Sequence, residues 1–269
     1  MVKIGLMICM LLGFVFESKS QTRAGVSEVK VVDVLLNVQQ FDFTSKSMMN
    51  IGNTLRFVYI DHFTMIISKR IGYFSNLSVD NKSGEVDQKL SRIDTTYMVH
   101  VFSNASNIGL KFNLANFREG HPKIIKKDSL LKHIGLNKEN LAYFEMELGT
   151  PESAERCSDT LIERYSLAKH PGKINDKKNE APDSVYRYYS KNMNDIPFVI
   201  SSKLDSLSSS KYFSSKIIFN PVFGAESTSP AIPRREWGIS ITRVNNDQVL
   251  IYQEILRKFN GEIGRLGSN

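Results

Sequence analysis

The feature that most constrains this chain is a period of two. Between Thr95 and Phe102, Tyr97, Val99 and Val101 fall on one side of an extended backbone, and Met98, His100 and Phe102 fall on the other. Ser103, Asn104, Ala105, Ser106 and Asn107 then supply turn chemistry. Ile108 to Asn113 resumes as a strand with Gly109 early in it. Strand, polar turn, strand makes Thr95–Asn113 the best hairpin in the chain. Strands of this kind leave backbone groups unsatisfied until they pair, so the rest of the sequence has to supply partners.

Several segments qualify. Ser27 to Leu36, with Val29, Val31, Val34 and Leu36, reads as a first strand. Leu55 to Ile60 and Phe63 to Phe74 read as two strands joined near Asp61 and His62. Leu141 to Leu148, Ser184 to Tyr189, Pro197 to Ser201, Lys211 to Phe223 and Trp237 to Val244 read as further strands. Asn245, Asn246 and Asp247 form a turn signal. Gln248 to Phe259 fits a returning strand by its Val, Ile and Tyr content, and fits a helix by the stripe Val249, Tyr252, Leu256 and Phe259. Composition favours the strand. Asp42 to Asn53 reads as a polar loop or irregular segment, Ser75 to Asp94 as a mobile surface loop, and Glu226 to Arg235 as a loop fixed by Pro230 and Pro233.

Helical signals are fewer. Asp128 is placed to cap a short helix through His133, stopped by Gly135. The clearest helical pattern lies at 152–168, where Ala154, Cys157, Leu161, Tyr165 and Ala168 recur at spacings of three and four. Thr150 and Pro151 suit its start, and Pro171 and Gly172 its stop. The fold class expected is therefore mainly β or α+β, with antiparallel sheet and one clear amphipathic helix near 152–168. Residues 21–269 are read as a single β-rich domain, or as two lobes, 21–170 and 184–269, joined by the polar linker 170–183. The alternating βαβ units of a nucleotide-binding doubly wound fold do not occur.

The first twenty residues speak to address. Lys3 precedes an apolar run from Ile4 to Phe16, and Ser18 and Ser20 place small residues three and one before Gln21. That is the layout of a secretory signal peptide over 1–20, cleaved before Gln21. The run is shorter than the roughly 20 residues a spanning helix needs. Export to a bacterial periplasm or the extracellular space is the expectation. Cys9 would leave with the leader, so Cys157 would have no partner for a disulfide. An exported chain of this size without disulfides suggests a bacterial envelope or secreted protein. Cys9 lies inside the apolar run without a small residue ahead of it, so release is expected rather than lipid tethering. Asn76, Asn81 and Asn104 each match the N-glycosylation pattern, which chance explains in a chain rich in Asn and Ser.

Chemistry is read mainly by exclusion. No Gly-x-Gly-x-x-Gly, Walker or Gly-x-Ser-x-Gly pattern occurs, and Gly261, Gly264 and Gly267 read as a flexible tail. His62, His100, His121, His133 and His170 include no i, i+4 pair, so no metal site and no cofactor are expected. Cys157 on a helical stripe would be a buried, inert thiol. The net charge of +7 is mildly basic and dispersed, which does not point to nucleic acid. Lys123, Lys126 and Lys127, with Lys132 and His133, form either a cationic face for anionic lipid heads or polysaccharide, or solvated edge lysines that prevent aggregation. Tyr186, Tyr188 and Tyr189, with Arg187 between, are placed to stack on sugar rings, but the face that Tyr186 and Tyr188 share is read as core. No catalytic residue is assigned. The reading is an exported non-enzymatic β-rich protein that binds or scaffolds in the cell envelope or outside it. An exported hydrolase with a carboxylate site, or a carrier of lipid or another hydrophobic ligand, are the alternatives.

Overall fold

The computed structural model describes residues 28–42, 44–79, 86–167, 182–221, 232–245 and 248–266, with backbone alone at 73, 75–79 and 86–90. The leader region 1–20, His170 and most of the 170–183 linker, most of the 226–235 loop, residues 80–85, and Asn246, Asp247 and Gly267 lie outside the described residues.

The fold is mainly β, one antiparallel sheet of eleven strands with short helices on it. The strands are β1 (Val29–Asp42), β2 (Ser47–Ile60), β3 (Phe63–Val79), β4 (Val86–Ser103), β5 (Ile108–Asn113), β6 (Lys123–Lys126), β7 (Ser153–Cys157), β8 (Thr160–Ser166), β9 (Ser184–Ser190), β10 (Lys211–Phe219) and β11 (Arg235–Arg243). The helices are α1 (Lys127–His133), α2 (Lys138–Ala142), α3 (Ser202–Ser208) and α4 (Val249–Leu266). The sheet order is β6-β5-β4-β3-β2-β1-β11-β10-β9-β8-β7. One meander walks outward from β1 to β6, a second walks inward from β7 to β11, and β1 pairs with β11 to join them.

Strict alternation gives the sheet two buried faces. On one face Val32, Val34, Leu55, Phe57, Ile66 and Phe102 continue into Val185, Ile217, Ile239 and Ile241. The segments around Ile134, Leu136 and Phe144, and around Ile196, Phe198 and Ile200, cover it. On the other face Val58, Ile60, Met65, Val99, Val101, Leu110 and Phe112 lie under Tyr252, Ile255 and Phe259 of α4. Burying each of these larger side chains contributes roughly 1.5–3 kcal/mol before chain entropy is offset.

Three segments adopt a different structure from the one their patterns predict. Residues 152–167 hold no helix, and Ala168 lies outside the described residues: β7 and β8 form a hairpin turned at Ser158, whose φ is 56°. The helical stripe is also read by a strand, because Leu161, Glu163 and Tyr165 alternate, and pairing of β8 with β9 decides between the two. Gln248–Phe259 is helical, since the sheet face beneath it needs an apolar ridge of period 3.6, and Tyr252, Ile255 and Phe259 provide one. That helix runs on through Gly261 and Gly264, so neither belongs to a flexible tail. Leu141–Leu148 passes through the end of α2 and a 3-10 turn, with Phe144 its buried anchor.

Asp42–Asn53 and Ser75–Asp94 are largely strand rather than loop, because a ladder satisfies the backbone whatever the side chains bury. Pro197–Ser201 alternates, burying Phe198 and Ile200, yet joins no ladder. The hairpin Thr95–Asn113, the first strand, and the turn at Asp61 and His62 form as their patterns predict.

β2 pairs with β3 only over Leu55–Ile60 and Phe63–Ser68. Beyond that point β1 and β2 continue together to Asp42 and Ser47, and β3 and β4 continue together to Val79 and Val86. The sheet therefore ends on this side in two separate ribbons.

Gly109 sets the approach of β5 to β4. A Cβ there would lie 2.3 Å from the Val101 carbonyl oxygen and 2.4 Å from the Phe102 ring. Gly109→Ala is expected to cost more than about 2 kcal/mol, because both obstacles are buried and one is backbone. Gly238→Ala, whose nearest neighbour would be the Ser215 carbonyl at 3.4 Å, should stay within about 1 kcal/mol. Urea midpoints of the two variants give the comparison.

Candidate functional site

The residues singled out by sequence scatter over the fold. Cys157 is exposed at the β7–β8 turn and does not face a core. The buried, inert thiol was a consequence of the helix, and it goes with the helix. Among the described residues no group of three His, Cys, Asp or Glu is placed to hold a metal ion. His62 lies in the β2–β3 turn against the Phe63 ring, at 4.1 Å between centroids. His133 ends α1. Tyr186 and Tyr188 are half-buried, Tyr186 beneath Arg164 and Tyr188 against Phe213.

Between those tyrosines, Arg187 takes the buried position of β9, 4% exposed. Its guanidinium lies 5.1 Å from the centre of the Tyr165 ring and donates to the Met146 carbonyl, while its Nε has no partner. Tyr212 donates to the Phe144 carbonyl at 3.0 Å. These two side chains fasten the 143–148 segment to the sheet, and the arrangement is structural.

The basic residues come together differently. The run from Lys123 to Lys126 is not one cationic face, because the pleat sends its ends to opposite sides. Lys123 pairs with Lys111 on β5, Lys111 with His100 on β4, and Met98 with Ser68 on β3, two residues before Arg70. Antiparallel partners share a face, so Arg70, Met98, His100, Lys111 and Lys123 share one. Arg70, Lys111 and Lys123 converge on a cleft of about 340 Å³ with His121 on its rim. Asn113 and Asn116 add amide groups, and Met98, Phe112 and Phe117 add apolar wall. No carboxylate lines it, and none of the three cations has an ion-pair partner among the described residues.

The loop beside the cleft is tied to α4 by hydrogen bonds. Arg118 donates to both oxygens of Glu254 on α4, at 2.7 and 2.9 Å. Lys258 on α4 donates to the carbonyls of Arg118 and Gly120, at 2.7 and 3.0 Å. Hydrogen bonding to the Arg118 guanidinium holds the Glu254 carboxyl below the usual carboxylate range. An adjoining cleft of about 340 Å³ shares Gly120 and His121 and runs toward Glu262 and Arg265.

Of the cleft residues only Lys123 belongs to a recognisable basic run, and His121 to the histidine inventory. Arg70 and Lys111 carry a subtler signal, cations at alternating positions of strands whose opposite positions are apolar. No protein-family model matches the chain, and no curated protein is similar to it.

A buried histidine lies behind the cations. His100 is 4% exposed, with Nδ1 3.2 Å from the Ile66 carbonyl oxygen. Burial pushes its imidazole down to about 4; the hydrogen bond to Ile66 opposes this, and the charges of Lys111 and His133 add to it. Between about pH 6.5, the ordinary histidine value, and about pH 4, the unfolded chain takes up a proton that the folded protein refuses. Stability from this group is therefore complete above that window and falls as pH drops through it, by ~3 kcal/mol in all. Urea unfolding at pH 7, 5.5 and 4.5 should show this slope, and His100→Gln should flatten it.

Proposed function

We propose that this chain is exported and acts as a non-catalytic binding protein, in the bacterial cell envelope or outside the cell, and that its basic cleft takes an anionic ligand. The observation that carries the reading is the convergence of Arg70, Lys111 and Lys123 without a carboxylate among the described residues to answer them. Lys111 is half-buried, and a cation removed from water without a counter-charge costs free energy that a bound anion offsets. The asparagine amides beside it add hydrogen-bond donors for anionic oxygens. A hydrolase would need two carboxylates facing each other across the cleft, and a carrier would enclose its ligand in an apolar interior. The cleft here is rimmed by cations instead. Export is supported by the order of charge, apolar run and small residues over 1–20.

Two measurements test the parts separately. Intact-mass analysis of protein recovered outside the cytoplasm should give a chain beginning at Gln21; a chain retaining Met1 to Ser20 would remove the argument for export. Titration with inorganic phosphate, followed by the amide resonances of Phe112 and Asn113, should show saturable shifts that weaken with added salt. Lys111→Gln combined with Lys123→Gln should weaken that binding about tenfold, on the order of 1.4 kcal/mol. Unchanged binding would remove the cleft from the reading.

A further inference from the structure

The basic cleft continues onto the ribbon formed by the outer parts of β3 and β4. Arg70, Gly72 and Phe74 follow one another on the cleft face of β3, so Phe74 stands about 14 Å along the strand from Arg70. Phe74 is 53% exposed, yet its ring is folded back along the ribbon. A Cβ on Gly72 would meet the ring edge at 3.3 Å. Gly72 thus leaves the space in which the ring lies down. Arg92, directly across on β4, has its guanidinium 5.8 Å from the ring centre. Asp94 accepts from Arg92 at 2.5 and 2.6 Å, so this arginine is charge-compensated and serves to position the ring. Among the described residues the other three cations of the track carry no such partner.

Resting on the anion-binding reading of the cleft, we infer that its ligand is an acidic glycan, a polymer of sugars bearing carboxylate or sulfate groups. Such a chain would lie with its charges over Lys123, Lys111 and Arg70 and one sugar face on Phe74. The two halves of the track match the two properties of such a chain. Three cations, on β3, β5 and β6, unpaired among the described residues, suit repeated anionic groups, and a ring lying along the surface suits the apolar face of a pyranose. A side chain meant to enter a bilayer would stand away from its ribbon, whereas Phe74 is folded down beside Gly72.

The test uses the full mature chain with galacturonate, a galacturonate hexamer, a heparin oligosaccharide, neutral dextran and inorganic phosphate. Vesicles of phosphatidylglycerol in phosphatidylcholine form a separate arm. Calorimetry or fluorescence should show the hexamer or the heparin oligosaccharide binding at least tenfold more tightly than galacturonate, and dextran not binding. Phe74→Ala should weaken oligosaccharide binding at least fivefold and leave galacturonate and phosphate unchanged. Lys111→Gln with Lys123→Gln should weaken all anionic ligands. Phosphate and galacturonate binding with no gain for either oligosaccharide would overturn the glycan assignment while leaving the anionic cleft in place. Binding of vesicles but not of oligosaccharides would overturn it in favour of a membrane surface. Failure of every anion to bind would sink both the glycan assignment and the cleft reading beneath it.

Discussion

Everything in this molecule depends on the pairing of its first described strand with its last. β1 is flanked by β2, its neighbour in sequence, and by β11, which returns from the far end of the chain. The ladder runs from Val32 opposite Arg243 to Val38 opposite Trp237. Gln39 extends it by accepting from the Glu236 amide across 197 sequence positions and from the Trp237 indole. Without this seam there would be two meanders, each with a raw edge and an apolar face only partly covered. With it, Val32 and Val34 join a buried cluster that runs continuously from Phe102 on one side to Val185 on the other. Contacts so distant in sequence close late, so the two meanders are expected to form before the seam does.

The seam also fixes where binding chemistry can sit. Toward β7 the buried Arg187 and Tyr212 each donate to a backbone carbonyl of the covering segment, Arg187 to Met146 and Tyr212 to Phe144. Toward β6 the arrangement differs. The face that buries Ile66 and Phe102 near the turns becomes polar farther along the same strands, where Arg70, Lys111 and Lys123 stand together. The loop that walls this region is tied to α4, and α4 covers the other face of the same strands. One helix thus both seals the second core and anchors the loop beside the cleft.

Sequence reading succeeds here where a single local rule decides, and fails where two periods fit and a distant surface chooses. The hairpin from Thr95 to Asn113 was legible because alternation and turn chemistry agree. Residues 152–168 satisfied a helical stripe and, through Leu161, Glu163 and Tyr165, a strand as well; only the open edge of β9 selects the strand. Residues 248–259 posed the same choice, and a sheet face assembled from β2 to β5 selects the helix. The cleft was legible in one residue of three. Lys123 sits in a visible basic run, while Arg70 and Lys111 join it only through registers that depend on how four strands pair.

The competing account of Lys123 and Lys126, that edge lysines keep sheets from joining end to end, accounts for one of them. β6 is an outer strand, and Lys126 lies on the side away from the cleft together with Ile124, which is 60% exposed. A charge beside an exposed isoleucine on an open edge is what protection against aggregation requires. Lys123 faces the other way, beside Lys111, where two like charges on directly opposed residues destabilise the sheet they belong to. Edge protection does not require a second lysine on β5, an arginine on β3, or the exclusion of carboxylates from the space between them. The opposition of Lys111 and Lys123 raises the free energy of the protein, and the anionic ligand proposed for the cleft would relieve it.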